Sequence, residues 1–344
     1  MTKIVIDGLG ADQGPKMVAQ GLALAMKKNP GFQAVLIGPR DDFSPFLRDY
    51  GDRIEWIDCD QAISNEESPV MAIRRKKDSS MVLAFHRLNA EDAHVLLSAG
   101  STGALLAGAT FITKRLKGVK RCCLAAILPN VTGKDIILAD AGANMDTTPE
   151  MLVQFAVLAS AFAKTGLGIK QPRIGSLSVG VEDHKGDDRV LKTADLLRKT
   201  DLLYIGNVEA RDLLHMDCDV LVCDGFSGNV AVKTAEGTAA TLLGLIKESI
   251  MESGGTKLGG LLLKKALKKK LSVLDYTRHG GAPLLGSRKP VFKAHGNVGP
   301  ETFARSIQEA LDYADAQAEG QLEDELSTVM AQINGGPEIE RDHE

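Results

Sequence analysis

The sequence of 344 residues has few aromatic residues, five cysteines and no long apolar run. The cysteines are odd in number and lack the paired spacing of a zinc site. Cys122 and Cys123 are adjacent, which suits neither an ordinary disulfide nor a shared metal ion. No stretch reaches the roughly 18 apolar residues that a membrane-spanning helix needs. The sequence therefore predicts no metal site, no cofactor-binding cysteine motif and no transmembrane segment.

The chain also lacks an excess of positive charge. Its formal net charge of -4 argues against binding of nucleic acid over a broad surface, and any basic feature has to be local. A strand-like run at residues 3–7 begins almost at the first residue, so no signal peptide is expected. Together with the unpaired cysteines, this predicts a cytoplasmic protein.

Short apolar runs alternate with helical patterns along the chain. The runs, such as residues 4–7 and 34–37, are almost continuously apolar, which is typical of a parallel sheet covered on both faces. Helical patterns such as residues 15–28 and 229–251 lie between them. The sequence therefore predicts an α/β fold, a three-layer α/β/α doubly wound, mostly parallel sheet. No repeat or linker marks a boundary, so residues 1–333 are predicted as one domain and 334–344 as a charged tail.

Six of the predicted strands lead into turns rich in glycine and small polar residues. In open α/β sheets ligands bind at the turns that follow the carboxyl ends of the strands. Small residues let the backbone approach a ligand, and helix N-termini offer free N–H groups to an anion. One such turn would indicate little, but the coincidence of six predicts a phosphate-binding site. The turns are residues 7–10, 98–103, 140–144, 206–209, 224–229 and 293–297.

The familiar phosphate and nucleophile motifs are absent. No Gly-x-x-x-x-Gly-Lys-Ser/Thr loop occurs, and the segment 225–229 has Asn229 where a nucleophile elbow needs glycine. In residues 8–14 the last glycine lies one residue too far along the chain to match the dinucleotide-binding motif Gly-x-Gly-x-x-Gly. Because Arg40 follows the second strand and could contact a 2′-phosphate, an NADP-dependent oxidoreductase stays an alternative.

These turns closely resemble those of the phosphate acyltransferases (PlsX-type), which convert acyl–[acyl carrier protein] and inorganic phosphate into acyl phosphate. The resemblance runs from Ile4 to about Ala310. It departs near the N-terminus, where the family usually reads Asp-Ala-Met-Gly-Gly-Asp-His-x-Pro and this chain has Gly8, Ala11 and Gln13. The most specific segments are 98–104, 206–212, 224–230 and 293–296, with weaker support from 74–81, 182–186, Tyr276 and 280–282.

The resemblance implies a fold like that of phosphotransacetylases and isopropylmalate dehydrogenases, and a homodimer without a cofactor. It implies peripheral association with the inner face of the membrane, and phospholipid biosynthesis as the setting. The expected partners are inorganic phosphate, the thioester of acyl carrier protein, and a downstream glycerol-3-phosphate acyltransferase that accepts the acyl phosphate.

Attack of a phosphate oxygen on a thioester needs no covalent enzyme intermediate. Phosphate is largely dianionic near neutrality, with a second pKa of about 6 in phosphoesters, and a thiol with a pKa of about 8.5 is a good leaving group. Lys185 is expected to bind phosphate, and His295 to give a proton to the thiolate. The predicted catalytic residues are Lys185, Asn229, Asn207, His295 and Asp7.

The asparagines are expected to donate to the thioester or oxyanion, while acidic residues orient the donors. A plainer interpretation stays open for several of these residues. In that interpretation Asp7 and Asp224 do no more than cap helices, Glu209 does no more than pair with Arg211, and His295 is structural. The predicted substrate-binding residues are Ser101, Thr102, Gly103, Asn144, Glu209, Asp224, Gly225 and Lys293.

A basic amphipathic helix is predicted at residues 257–271, which hold six lysines and no acidic residue. Such a helix suits the surface of an anionic membrane. It also suits docking of the acidic carrier protein, or burial of its leucines in a dimer interface. The predicted contact residues are Leu262, Lys264, Lys265, Leu267, Lys268 and Lys269.

Three alternatives to the carrier-protein reaction follow from the residues. The first is a phosphotransacetylase-like enzyme that uses a coenzyme A thioester. The second is a membrane-associated scaffold that binds a phosphorylated ligand without turnover, and the third is the NADP-dependent oxidoreductase.

Overall fold

The structure is a computed structural model that describes residues 1–271, 278–316 and 321–334. The first half of the chain contains β1 (Thr2–Asp7), α1 (Pro15–Lys28), β2 (Phe32–Ile37), α2 (Arg40–Leu47), β3 (Ile54–Ile57), α3 (Pro69–Arg75), α4 (Ser80–Leu88), β4 (Val95–Ser98), α5 (Thr102–Gly108), β5 (Cys123–Pro129), β6 (Asp135–Ala139) and α6 (Pro149–Gly166). The second half contains β7 (Ile174–Ser178), α7 (Asp188–Leu197), β8 (Tyr204–Glu209), β9 (Val220–Val222), α8 (Gly225–Met251), α9 (Gly254–Leu271), β10 (Gly281–Leu285), β11 (Val291–Ala294), α10 (Pro300–Ala316) and α11 (Gln321–Ile333). Among the described helices, none is long and apolar enough to cross a membrane.

One sheet of 11 strands runs through the molecule in the order β3-β2-β1-β4-β11-β10-β5-β6-β9-β7-β8. Strands β1 to β4 and β11 are mutually parallel and form the first lobe. Strands β6 to β9 are also mutually parallel and form the second lobe. Between the lobes, β10 pairs antiparallel with β11 and β5, and β5 pairs antiparallel with β6. Three antiparallel pairings in a row make the two lobes run in opposite directions, so their turns do not all lie at one edge of the sheet.

Helices cover both faces of the sheet, which confirms the predicted three-layer α/β fold. In β1, Ile4 and Ile6 pack into one core with α1 and α10, while Val5 packs into another core with α4. Successive residues of a strand point to opposite faces, so a strand apolar at every position needs a layer on each side. This is why the runs read as continuously apolar.

One segment differs from the expectation based on glycine content. Residues 206–209, predicted as a turn, are the end of strand β8, where the pairing with β7 shifts register near Gly206. Gly206 has a φ of 102°, a conformation open to glycine, so the strand continues through an irregularity. Strand β10, which begins with Gly281-Ala282-Pro283, is buried along its whole length.

Helices α8 and α9 form a hairpin that leaves the body of the second lobe. The first turns of α8 are anchored by buried residues such as Gly228 and Val232, whereas residues 240–251 are mostly exposed. The two helices approach closely at Gly260, where a Cβ atom would lie 2.4 Å from Ile250 Cγ2. The predicted basic helix is therefore present, as the second arm of this hairpin.

Candidate active site

A cleft with a volume of about 400 Å³ lies between the two lobes. The cleft forms because β10 pairs with β5 only at Leu124 and Cys123, while the rest of β5 pairs with β6. Turns from both lobes meet there, and the first turns of α8 form one wall. The polar lining residues are Thr102, Asn229, Lys233, Glu236, His279, Lys293 and His295; the apolar ones include Leu124, Ala126, Leu128, Val232 and Ala282.

Lys293, near the end of strand β11, brings positive charge into the cleft. Its ammonium group donates to the carbonyl oxygens of Ala99, at 3.1 Å, and Ala294. Burial lowers the pKa of Lys293 to about 8, although Asp12 and Asp7 act in the opposite direction. A buried cation that lines a polar cleft is suited to an anionic ligand.

Asp7 ends β1 behind Lys293 and is almost completely buried. Its carboxylate accepts hydrogen bonds from the hydroxyl groups of Ser80, at 2.6 Å, and Ser98, at 2.7 Å. Burial raises the pKa of Asp7, while these hydroxyls and Lys293 favour its ionised form. Asp7 thus connects α4 and β4 to β1. Its negative charge offsets the positive charge of Lys293, and its side chain does not line the cleft.

The turn after β4 is built for close approach of the backbone. A Cβ atom on Gly10 would lie 2.5 Å from the backbone N of Gly100, so the two turns can pack only without side chains. Ser101 caps α5 by accepting from Ala104 N at 3.4 Å, which leaves Thr102 as the hydroxyl that lines the cleft. The free backbone N–H groups at a helix start favour an anion nearby, and Thr102, the first residue of α5, lines the cleft.

His295 lies next to Lys293 in the cleft. Burial, together with the positive charges of Lys293 and Lys233, lowers the pKa of His295. The imidazole is therefore mainly neutral near pH 7 and suits donation of a hydrogen bond better than transfer of a proton from an imidazolium. This modifies the expected role of His295.

Asn229 reaches the cleft from the first turns of α8. Asp224 caps this helix, since its carboxylate accepts from the backbone N atoms of Phe226, at 3.0 Å, and Ser227, at 2.9 Å. Arg189 donates to the same carboxylate at 2.9 Å. Asp224 therefore positions the helix that carries Asn229, and Arg189 is a supporting residue that the motif comparison did not identify.

The turn after β6 holds this helix in place from the other side. Asp140 accepts from Leu124 N at 3.0 Å and from Asn144 N and Nδ2, both at 2.7 Å. Asn144 also donates to Cys122 O at 2.7 Å and is completely buried, so both of its amide hydrogens are used inside the protein. Gly225 N donates to Asn144 O at 2.7 Å. Asn144 and Gly225 support the site and do not line the cleft.

Lys185, Asn207 and Glu209 lie outside this cleft. Asn207 Nδ2 donates to Glu182 O at 2.9 Å and to Lys185 O at 3.1 Å, which fixes the loop that follows β7. Lys185 itself is exposed, and Glu209 pairs with Arg211. Lys185, the residue most strongly expected to bind phosphate, therefore lies apart from Thr102 and Lys293 within one chain.

A larger cavity, of about 800 Å³, lies on the opposite face of α8. Its lining is mostly apolar, and its charged and polar residues include Asp187, Arg189, Arg211, His215, Asp224 and Ser227. It contains neither Thr102 nor Lys293. The smaller cleft is therefore the better candidate for an anionic substrate.

His279 lies at the rim of the cleft and was not identified from the sequence. Its Nε2 is 3.3 Å from Asp135 and its Nδ1 is 3.5 Å from Glu309, so it links β6 with α10. Burial acts to lower the pKa of His279, but these two carboxylates raise it to about 9. The charged imidazole adds a contact between the lobes; only spatial proximity reveals it, because the three residues are far apart in the sequence.

The basic helix α9 turns several leucines away from the protein. Leu262 is 79% exposed and Leu263 is 56% exposed, while Lys264 and Lys265 are also exposed and Leu267 faces the groove against α8. The side chains of Lys268 and Lys269 lie outside the described part, as do Tyr276 and the tail beyond Asn334.

Comparisons of the whole chain with known proteins relate it to one family. A family model described as fatty acid synthesis protein matches residues 2–320. The phosphate acyltransferase of Lysinibacillus sphaericus is 42% identical over 308 residues, covering 90% of this chain and 93% of that protein. The phosphate acyltransferase of Clostridioides difficile is 39% identical over 336 residues, covering 96% of this chain and 97% of that protein.

Solved structures support the fold. A phosphotransacetylase from Streptococcus pyogenes superposes with a TM-score of 0.57 at 17% identity, covering 92% of this chain and 94% of that one. A branched-chain phosphotransacylase from Enterococcus faecalis gives a TM-score of 0.57 at 15% identity, covering 92% of this chain and 100% of that one. These similarities confirm the expected phosphotransacetylase-like architecture.

Proposed function

The chain belongs to the phosphate acyltransferase family, and from that premise we propose that it transfers an acyl group from acyl-[acyl carrier protein] to inorganic phosphate. The products are acyl phosphate and the free carrier protein. The acyl phosphate then serves phospholipid (phosphatidic acid) biosynthesis, where a glycerol-3-phosphate acyltransferase consumes it.

The observation that carries this proposal is the two-sided lining of the cleft. Thr102 and Lys293 offer a hydroxyl and a cation at one end, which suits phosphate. Leu124, Ala126 and Leu128 of β5 form an apolar wall in the same cavity, which suits an acyl chain. Both reactants of an acyl transfer to phosphate therefore have complementary surfaces in one cleft.

The reaction is a direct displacement at the thioester carbonyl. A phosphate oxygen forms a bond to the carbonyl carbon, the oxyanion collapses, and the carbon–sulfur bond breaks with the electron pair on sulfur. Asn229 and the neutral His295 are placed to donate hydrogen bonds to the oxyanion or to the departing sulfur. Donors fixed before the reaction stabilise the developing charge, and removal of one typically costs about 100- to 1,000-fold in turnover.

Trapping with hydroxylamine tests this proposal. The protein is incubated with palmitoyl carrier protein and phosphate, and the acyl phosphate is converted to a hydroxamate. We expect hydroxamate only when phosphate is present. If neither the carrier thioester nor palmitoyl coenzyme A gave phosphate-dependent hydroxamate, acyl transfer to phosphate would be ruled out; product from coenzyme A alone would favour the phosphotransacetylase-like alternative.

We also propose that α9 binds the surface of an anionic membrane. Leu262 and Leu263 present apolar side chains to solvent beside the ammonium groups of Lys264 and Lys265. Such a combination inserts shallowly among lipid headgroups, with roughly 1 kcal/mol from each lysine near the surface.

Sedimentation with vesicles that contain anionic lipid tests this contact. The Leu262→Asp, Leu263→Asp double variant is expected to stay in the supernatant under conditions in which the wild type sediments. Leu242→Asp, on the exposed part of α8, is the matched control. Equal sedimentation of wild type and double variant would remove the membrane proposal.

A homodimer is the third part of the proposal. Ile205 in the edge strand β8 and Leu203 just before it are exposed, and Val179 in the neighbouring loop is 81% exposed. An apolar sheet edge of this kind is a common interface between copies of one chain. Lys185 belongs to the same loop, so its proposed role in phosphate binding requires that the loop reach a cleft in the assembled dimer.

A further inference from the structure

We propose that a basic surface beside α3 is the docking site for the carrier protein; this inference rests on the proposed function. The surface, called here the α3 surface, consists of Met71, Arg74, Arg75, Phe111, Lys114 and Arg288. It would bind an acidic face of the protein that delivers the thioester. It is distinct from the basic helix α9, which is assigned to the membrane above.

Two contacts link members of the α3 surface. The Arg74 guanidinium lies 5.4 Å from the centroid of the Phe111 ring, which is itself 50% exposed. Phe111 belongs to the helical turn Ala109–Thr113, which Lys114 follows directly, and Lys114 O accepts from Arg288 N at 3.0 Å. Arg74, which lies over the ring, and Lys114, three residues after Phe111, are thus both neighbours of this exposed aromatic side chain.

The cations of this surface are available for a partner. Arg74, Arg75, Lys114 and Arg288 are exposed and form no ion pair with any residue in the described ranges. The nearby Lys76 differs, because it is bound to Glu67 at 2.7 Å. Unpaired cations around an exposed aromatic ring are typical of protein-binding sites, in which arginine and aromatic residues are enriched.

The α3 surface is close to the cleft. Helix α3 begins at Pro69, and a Cβ atom on Gly103 would lie 2.7 Å from Pro69 Cγ, so the helix start packs against the turn that carries Thr102. Seven helical residues span roughly 10 Å. A carrier protein seated on Arg74 and Phe111 therefore has its prosthetic arm within reach of Thr102.

Charge complementarity favours an acidic protein over a lipid surface here. On α9 four leucines are exposed along one helix, which is the pattern of insertion into a membrane. The α3 surface offers one aromatic ring and Met71, and these are set among cations and close to the substrate cleft. Steering by opposite charge would speed encounter with an acidic carrier and set its orientation.

The test compares two thioesters in the Arg74→Glu, Arg75→Glu double variant. We expect KM for palmitoyl carrier protein to rise by about tenfold or more, while KM and kcat with palmitoyl pantetheine, which lacks the protein, stay at wild-type values. Binding of fluorescent holo-carrier protein, followed by anisotropy without turnover, should weaken by a similar factor. Phe111→Ala should weaken binding as well, and the Lys27→Glu, Lys28→Glu variant at the exposed end of α1 should not.

Three results would overturn the inference. The first is unchanged carrier binding in the Arg74→Glu, Arg75→Glu variant; the second is an equal loss with palmitoyl pantetheine, which would indicate damage to the cleft. The third is that the same variant no longer sediments with anionic vesicles but still binds the carrier protein as the wild type does, which would assign the surface to lipid. Failure of the proposed function is seen separately, as absence of acyl phosphate in the wild type, and the anisotropy measurement does not depend on it.

Discussion

Replacement of Lys293 by methionine is expected to lower kcat/KM for phosphate by about 100- to 1,000-fold, because the substitution removes a preorganised charge from a partly dry cleft. Methionine nearly matches the length of lysine and is tolerated in buried positions, so the fold should persist. Steady-state kinetics with varied phosphate check the prediction. Lys192→Met, at an exposed position of α7, is the matched control and should behave like the wild type.

The same lysine predicts a pH dependence. Because the pKa of Lys293 is about 8, its charged form is present below that pH and is lost as the pH rises through it. We therefore expect KM for phosphate to increase above about pH 8 in the wild type, and this increase to be absent in Lys293→Met. A phosphate KM that is the same in both proteins at every pH would show that Lys293 does not bind phosphate.

Asp140→Ala is expected to have the largest effect on stability. Its carboxylate accepts from the backbone N atoms of Leu124, Gly142, Ala143 and Asn144 and from Asn144 Nδ2. Each buried donor left without an acceptor costs about 1–3 kcal/mol, so a loss of about 3–5 kcal/mol in the free energy of unfolding is expected. Urea denaturation monitored by circular dichroism measures this difference.

A helix cap without burial provides the comparison for Asp140. Asp187 accepts from Val190 N at 2.9 Å at the start of α7, and its side chain is largely exposed. Its replacement by alanine should cost only about 1 kcal/mol. Similar losses for the two variants would mean that the Asp140 turn does not hold β5, β6 and α8 together.

The lobe built from β1 and β4 follows closely from sequence patterns, because its turns obey local rules. Glycine at Gly10 and Gly100 and a hydroxyl before a helix are visible in the sequence, and the structure places these turns together. The same reasoning misplaced residues 206–209. Gly206 sits in a bulged strand, and composition alone does not distinguish a turn from an irregular strand.

The second lobe shows what the sequence could not supply. Asn144 and Thr102 belong to similar glycine-rich segments, yet Asn144 is buried with its amide bonded to Asp140 and Cys122 O. Which polar side chains face the cleft depends on three antiparallel strand pairings in the centre of the sheet, and these have no local signature. Contacts between distant residues, such as Arg189 with Asp224 and His279 with Glu309, depend on the same topology.

In the proposed reaction, phosphate attacks the thioester directly in the cleft between the lobes. This reaction is tested most directly by measuring thiol release from palmitoyl carrier protein together with acyl phosphate formation by ³¹P NMR, with and without phosphate. We expect one acyl phosphate for each thiol released, and no thiol release above background without phosphate. Thiol release at the same rate in the absence of phosphate, with fatty acid as the product, would contradict direct attack by phosphate.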